Sequence, residues 1–324
     1  MALLSLIVAL LLEQVRPVNP HGAAFQAFRR WTDMVADNFN AGERQHGALG
    51  WACAVLPWVV AVNLVFWILH GISPILAWAW DAAVLYFTMG FRQFSHGFTV
   101  VLEALRAGEI DRARAALGQW REERVDEYTQ TEVAKVSIEQ GLLGSHRHVF
   151  GVIAWFVFLP AVCGTIFPGT LAILLSGPAG AVLYRLTALL SEQWGARDDE
   201  EFLQFGGFAR EAYHVLDWVP ARLTAASFAV VGDFEDAVYC WRSQAASWLD
   251  PLEGIVLASG AGAIGVRLGE TLHADGSVVF RPEIGLDDEA DVEHMQRAVG
   301  LIWRALIMWM MVIGLTTIAS WIGS

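Results

Sequence analysis

Val149-Phe-Gly-Val-Ile-Ala-Trp-Phe-Val-Phe-Leu-Pro-Ala-Val-Cys-Gly-Thr-Ile-Phe-Pro-Gly-Thr-Leu-Ala-Ile-Leu-Leu-Ser-Gly-Pro-Ala-Gly-Ala-Val-Leu-Tyr184 is a run of 36 residues without one Asp, Glu, Lys or Arg, bracketed by Arg147 and Arg185. Soluble helices rarely exceed about 20 residues, and one bilayer crossing takes about 20 apolar residues. The run therefore reads as two crossings in succession. Pro160, Gly164, Pro168 and Gly169 lie near its middle, where a tight turn between antiparallel helices belongs, because proline lacks an amide donor and glycine relaxes the backbone.

Outward from that hairpin the same pattern recurs. Ala48 to His70 carries no charge, Gly71-Ile-Ser-Pro74 follows as a turn, and a second apolar stretch runs to about Phe91 with only Asp81 interrupting it. Ala305 to Ser324 is a further uncharged segment. Ala2 to Leu12 is too short to span alone. It lacks the basic flank and small-residue cleavage site of a secretory signal, and reads as a re-entrant or interfacial segment, or a helix tucked against the bundle. The expected fold is all-α, a polytopic membrane protein of about five transmembrane helices in a single domain over 1–324. It is organised as an N-terminal segment (1–47), a helical hairpin (48–91), amphipathic helices (92–148), a second hairpin (149–186), a region with an acidic loop (187–300) and a last crossing (301–324).

Basic residues set sidedness. Eight Lys and Arg lie between Arg92 and Arg147, four between Glu13 and Gly47, and none at the Gly71 turn, so both long segments are expected on the cytoplasmic side of a bacterial inner membrane. Mean hydropathy of +0.44 and a charged fraction of 17% agree with a membrane setting, as do 15 tryptophans, several at the ends of apolar runs. The lipid bilayer is thus the first expected partner. A net charge of −13 argues against nucleic acid, whose phosphates need clustered cations. Thirteen carboxylates fall between Asp233 and Glu293, against four arginines before Arg304, which reads as a solvated acidic surface or a contact for a cationic partner. Cys53, Cys163 and Cys240 have neither disulfide nor zinc spacing.

Ionic groups inside apolar runs are costly and mark function or anchoring. Asp217 and Arg222 flank Pro220 in one such run, either as a helix-end pair or as ligand-facing groups. Arg92 and His96 follow the first hairpin, and His146 and Arg147 precede the second, in positions to form a cationic rim for an anionic ligand or simply to satisfy topology. His146 and His148 are a weak metal pair. No phosphate-binding loop, dinucleotide fingerprint or zinc-hydrolase motif occurs, and Gly260-Ala-Gly-Ala-Ile-Gly265 reads as small-residue helix packing.

Three segments taken together, Gly177-Pro-Ala-Gly-Ala-Val-Leu-Tyr184-Arg185-Leu186, Leu216-Asp217-Trp-Val-Pro220-Ala-Arg222-Leu-Thr-Ala225 and Gly260-Ala-Gly-Ala-Ile-Gly-Val-Arg267-Leu-Gly269, resemble the CobD/CbiB superfamily of bacterial membrane proteins. The resemblance implies either of two functions. One is adenosylcobinamide-phosphate synthase, which uses ATP and magnesium to join adenosylcobyric acid to an aminopropanol unit. The other is the AmpE-like branch, a regulatory or ligand-binding membrane component. At the places where synthases carry acid- and amide-rich segments, this chain retains Glu139, Glu192 and Gln193. That thinning favours the AmpE-like reading, with a corrinoid or cell-wall-derived ligand held around Tyr184, Arg185, Asp217, Arg222 and Arg267, and possible docking to a partner protein. Under the synthase alternative Glu139, Glu192 and Asp217 serve the metal and nucleotide.

Overall fold

The computed structural model describes residues 2–16, 22–40, 43–157, 177–195, 197, 200–274 and 277–322. The centre of the 149–184 run, with its expected turn and Cys163, lies outside them. Among the described residues the helices are α1 (Ala2–Val15), α2 (Ala23–Phe39), α3 (Arg44–Ile72), α4 (Pro74–Thr88), α5 (Phe91–Arg106), α6 (Ile110–Arg121), α7 (Gln130–Ser145), α8 (Ala179–Gly195), α9 (Glu200–Val231), α10 (Phe234–Gln244), α11 (Pro251–Ile264) and α12 (Val292–Ile322). The backbone stays helical from α7 through a π-helical turn at His146–Phe150 to residue 157.

The all-α expectation stands. The only strands among the described residues are two short antiparallel ribbons: β1 (Arg267–Leu268) pairs with β4 (Ile284–Gly285), and β2 (Leu272–Ala274) with β3 (Ser277–Val279).

The chain divides into two compact units, residues 1–90 with 147–220, and residues 91–146 with 221–324. In the first, α3 is 29 residues long, roughly 43 Å at 1.5 Å per residue, and Ser73 with Pro74 starts α4 directly after it. α3 packs on α8 and α4, and Val55, Val59, Leu190 and Trp194 join one buried cluster. The Trp51 indole donates to the Thr187 hydroxyl at 3.2 Å, and the Trp80 indole to the Val62 carbonyl at 3.0 Å. α1 lies against α4 with Leu6 and Ala9 buried, so the N-terminal apolar run is a packed helix.

Among the described residues two helices, Arg44–Ile72 and Val292–Ala319, are long and apolar enough to cross a membrane. The expected second crossing, ending near Phe91, is a 15-residue helix of about 22 Å, shorter than the ~30 Å hydrocarbon core, because Met89 leaves helical geometry after Thr88.

In the second unit α7, one of the expected amphipathic helices, is a core helix. A capping box starts it: the Thr129 hydroxyl accepts from the Glu132 amide at 3.2 Å, and Glu132 accepts from the Thr129 amide at 2.7 Å. From Ala134 to Glu139 every residue is buried. Gly141, Gly144 and Gly260 explain this, since a methyl at each would collide with Phe98, Phe94 and Leu142 respectively. The small-residue run of α11 is thus helix packing, as its composition suggests. α11 starts on the Asp250 side chain, which accepts from the Leu252 amide at 2.9 Å, and ends on Gly265 in the left-handed region at φ +74°.

Candidate functional site

The first unit holds a buried cluster of polar side chains built from α8 and α9. Tyr213 and Asp217 sit four residues apart on α9, hence on one helix face, and Tyr184 reaches them from α8. The Tyr184 hydroxyl donates to Asp217 Oδ1 at 2.7 Å and stands 3.3 Å from the Tyr213 hydroxyl. Tyr184 is fully buried and Asp217 nearly so. Room for the Tyr184 ring comes from Gly151, where any Cβ would overlap the phenol. Below Asp217, Pro220 withholds the amide that a regular helix would donate to the Leu216 carbonyl, and the Trp155 indole donates there instead at 2.9 Å.

Arg185 follows Tyr184 and therefore points about 100° away around α8. It is buried, its Nε and Nη1 have no hydrogen-bond partner among the described residues, and it lines a cavity of about 200 Å³. Arg147 makes a 3.8 Å ion pair with the half-exposed Glu192.

The second unit contains a ladder of ion pairs along α7. Glu132, Lys135 and Glu139, spaced to share a helix face, meet the segment between 267 and 281. Glu132 accepts from the His273 amide at 3.0 Å and faces its Nδ1 at 2.8 Å, and Lys135 pairs with Glu270. Glu139 takes both arms of Arg281, at 2.6 and 3.2 Å, and the Gly269 amide at 2.9 Å. Burial works against the charge on Glu132, but the Thr129 and His273 hydrogen bonds prevail and hold its carboxyl below the usual range. Arg267 sits among Glu270, Glu283 and Glu289 at 3.3, 3.9 and 3.6 Å.

The sequence candidates therefore separate. Tyr184 and Asp217 are brought together and Arg185 stands at a cavity wall, while Arg222 lies beyond Pro220 in the second unit. Arg92 and His96 are exposed on α5, but His146 is buried, with Nδ1 2.9 Å from the Thr224 hydroxyl, so it is not part of an exposed rim. Glu139 is committed to Arg281 and Gly269, which leaves its oxygens poor candidates for magnesium. No group of three or more His, Cys, Asp or Glu among the described residues is arranged to hold a metal ion.

Tyr213 and Gly151 belong to no charged run or motif in the sequence. The four-residue spacing from Asp217 marks the first, and the single glycine between Phe150 and Val152 marks the second.

The sequence profile described as CobD/Cbib protein matches residues 2–302. A protein of Stutzerimonas stutzeri named cobalamin biosynthesis protein CobD is 31% identical over 314 residues, covering 96% of each chain. One of the same name from Chromobacterium violaceum is 33% identical over 266 residues, covering 82% of this chain and 78% of its own. The AmpE-like assignment draws no support from these relatives. No solved structure matches the chain. Through the length of that profile match and its full-length relatives, this chain belongs to the CobD/CbiB family.

Proposed function

We propose that the protein serves cobalamin biosynthesis from within a bacterial inner membrane, holding a small molecule of that pathway at the buried Tyr184, Tyr213 and Asp217 cluster. The observation that carries this reading is likeness along 96% of both chains to a protein bearing the CobD name. The membrane half rests on α3. Only 22% of its apolar window is buried, and Leu56, Trp58, Val60, Leu64 and Ile68 face outward, an arrangement whose cost in water oil removes. About five crossings remain the proposal: α3, α4 with its short length met by local thinning of the bilayer, two from the 149–184 run, and the last part of α12.

Asp217 supplies a carboxylate whose Oδ1 is oriented by the Tyr184 hydroxyl, a geometry that suits an amine or hydroxyl on the incoming molecule, such as that of an aminopropanol unit. A charge-assisted hydrogen bond of this kind contributes about 1.5–3 kcal/mol, or roughly 10- to 100-fold in affinity.

The test is rescue of a synthase-deficient strain grown on cobyric acid. The wild-type gene restores growth, and Asp217→Asn, expressed at the same level in the membrane fraction, loses it. Absence of rescue by the wild-type gene overturns the cobalamin reading in favour of a regulatory role. Full rescue by Asp217→Asn removes the cluster from the function.

A further inference from the structure

The cavity beside Arg185 has a chemistry unlike that of the tyrosine–aspartate cluster. Among the described residues its walls are Phe25 and Phe28 of α2, Trp58 and Val62 of α3, and Phe87 of α4, almost entirely apolar, and the one charged wall residue is Arg185. Trp58 and Phe87 are also exposed to the outside, at 41% and 53%, so the apolar wall continues onto the outer face of the same unit. At about 200 Å³ the space is smaller than the ~300 Å³ at which small-molecule pockets begin, too small for a corrinoid and large enough for part of one hydrocarbon chain.

A guanidinium 95% buried, with two nitrogens lacking a hydrogen-bond partner among the described residues, is costly unless an anion reaches it. The anion must arrive by an apolar route. We propose that this cavity is a binding site for an anionic phospholipid, whose phosphate engages the Nε and Nη1 of Arg185 and whose acyl chain lies along Phe25, Trp58 and Phe87. Guanidinium and phosphate match as a fork on two oxygens, and a neutral wall of rings is what a methylene chain packs against. Free inorganic phosphate lacks the chain and gains nothing from those walls. A zwitterionic lipid brings its own cation into a space that already holds one. The occupant is thus distinguished by both halves of the molecule.

The experiment uses full-length protein in mild detergent, stripped of lipid and titrated with phosphatidylglycerol, phosphatidylcholine or inorganic phosphate, with bound lipid counted by native mass spectrometry. One phosphatidylglycerol is expected to remain bound, at least about tenfold more tightly than phosphatidylcholine. Arg185→Gln removes that preference and Arg185→Lys retains part of it. Should Arg185→Gln fail to fold, Val62→Trp fills the cavity while leaving the arginine in place, and it too is expected to lose the bound lipid. Phosphatidylglycerol with brominated acyl chains quenches tryptophan emission, and the part contributed by Trp58 disappears in Trp58→Phe.

Equal binding of the two lipids overturns the proposal. So does unchanged binding in Val62→Trp, or tight binding of inorganic phosphate alone, which assigns Arg185 to a soluble anion. None of these readouts depends on growth on cobyric acid, so the lipid site and the cobalamin role stand or fall separately.

Discussion

Tyr184 is useful only because residue 151 has no side chain. The phenol occupies the volume a Cβ would take, and from there it reaches Asp217. Gly151→Ala therefore pushes the ring from its seat, with an overpacking cost of about 1–3 kcal/mol. The expected outcome is a protein that still inserts but rescues growth poorly, measured by complementation alongside thermal unfolding in detergent. Full rescue with unchanged unfolding shows that the ring has another seat. Tyr184 and Asp217 were legible in sequence because an aromatic and a carboxylate stand out in apolar runs. Their partnership was not, because it joins two helices 33 residues apart, and neither Gly151 nor Tyr213 carries a charge to draw notice.

At the scale of elements, α7 shows why periodicity finds a helix more easily than its surroundings. Its charged stripe of Glu132, Lys135 and Glu139 is equally suited to headgroups, water or a protein partner, and here it is taken up by His273, Glu270 and Arg281. His273 comes from a strand of three residues, and Glu270 and Arg281 from irregular backbone beside such ribbons, so none of them leaves a pattern in the sequence. The ladder has an acid limit. Because folding lowers the Glu132 carboxyl below its unfolded value, its hydrogen bonds from Thr129 and His273 contribute stability above that unfolded value, near pH 4, and lose it as pH falls through the folded one. Unfolding midpoints followed from pH 6 to pH 3 should fall more steeply in the wild type than in Glu132→Gln, and parallel curves would show that this carboxyl is not coupled to folding.

For the whole molecule, composition and long apolar runs announced an all-helical chain, and the family motifs located the buried aspartate. The number of crossings was less legible. Hydropathy counts apolar residues but not where a helix stops, and α4 stops at Thr88. Only α3 and the 292–319 part of α12 are both long and apolar enough to span alone among the described residues. A single cysteine at Gly71, in a background where Cys53, Cys163 and Cys240 are changed to alanine, tests the sidedness derived from basic residues. Gly71 sits at the end of α3 with open space around it, so the substitution is well tolerated. Labelling by an impermeant maleimide from outside intact spheroplasts is expected, and labelling only after lysis reverses the topology.

The indole at position 155 acts as a surrogate amide for a helix 61 residues further on, supplying the proton that the ring of Pro220 cannot. Each residue is thereby the reason the other is tolerated. Trp155→Phe alone strands the Leu216 carbonyl at a cost of about 1 kcal/mol, whereas the same change beside Pro220→Ala meets a backbone already satisfied and costs less. Inheritance should treat the two positions as one character: descendants that regain an ordinary amide at 220 are released to lose the tryptophan, and those that keep the proline are not.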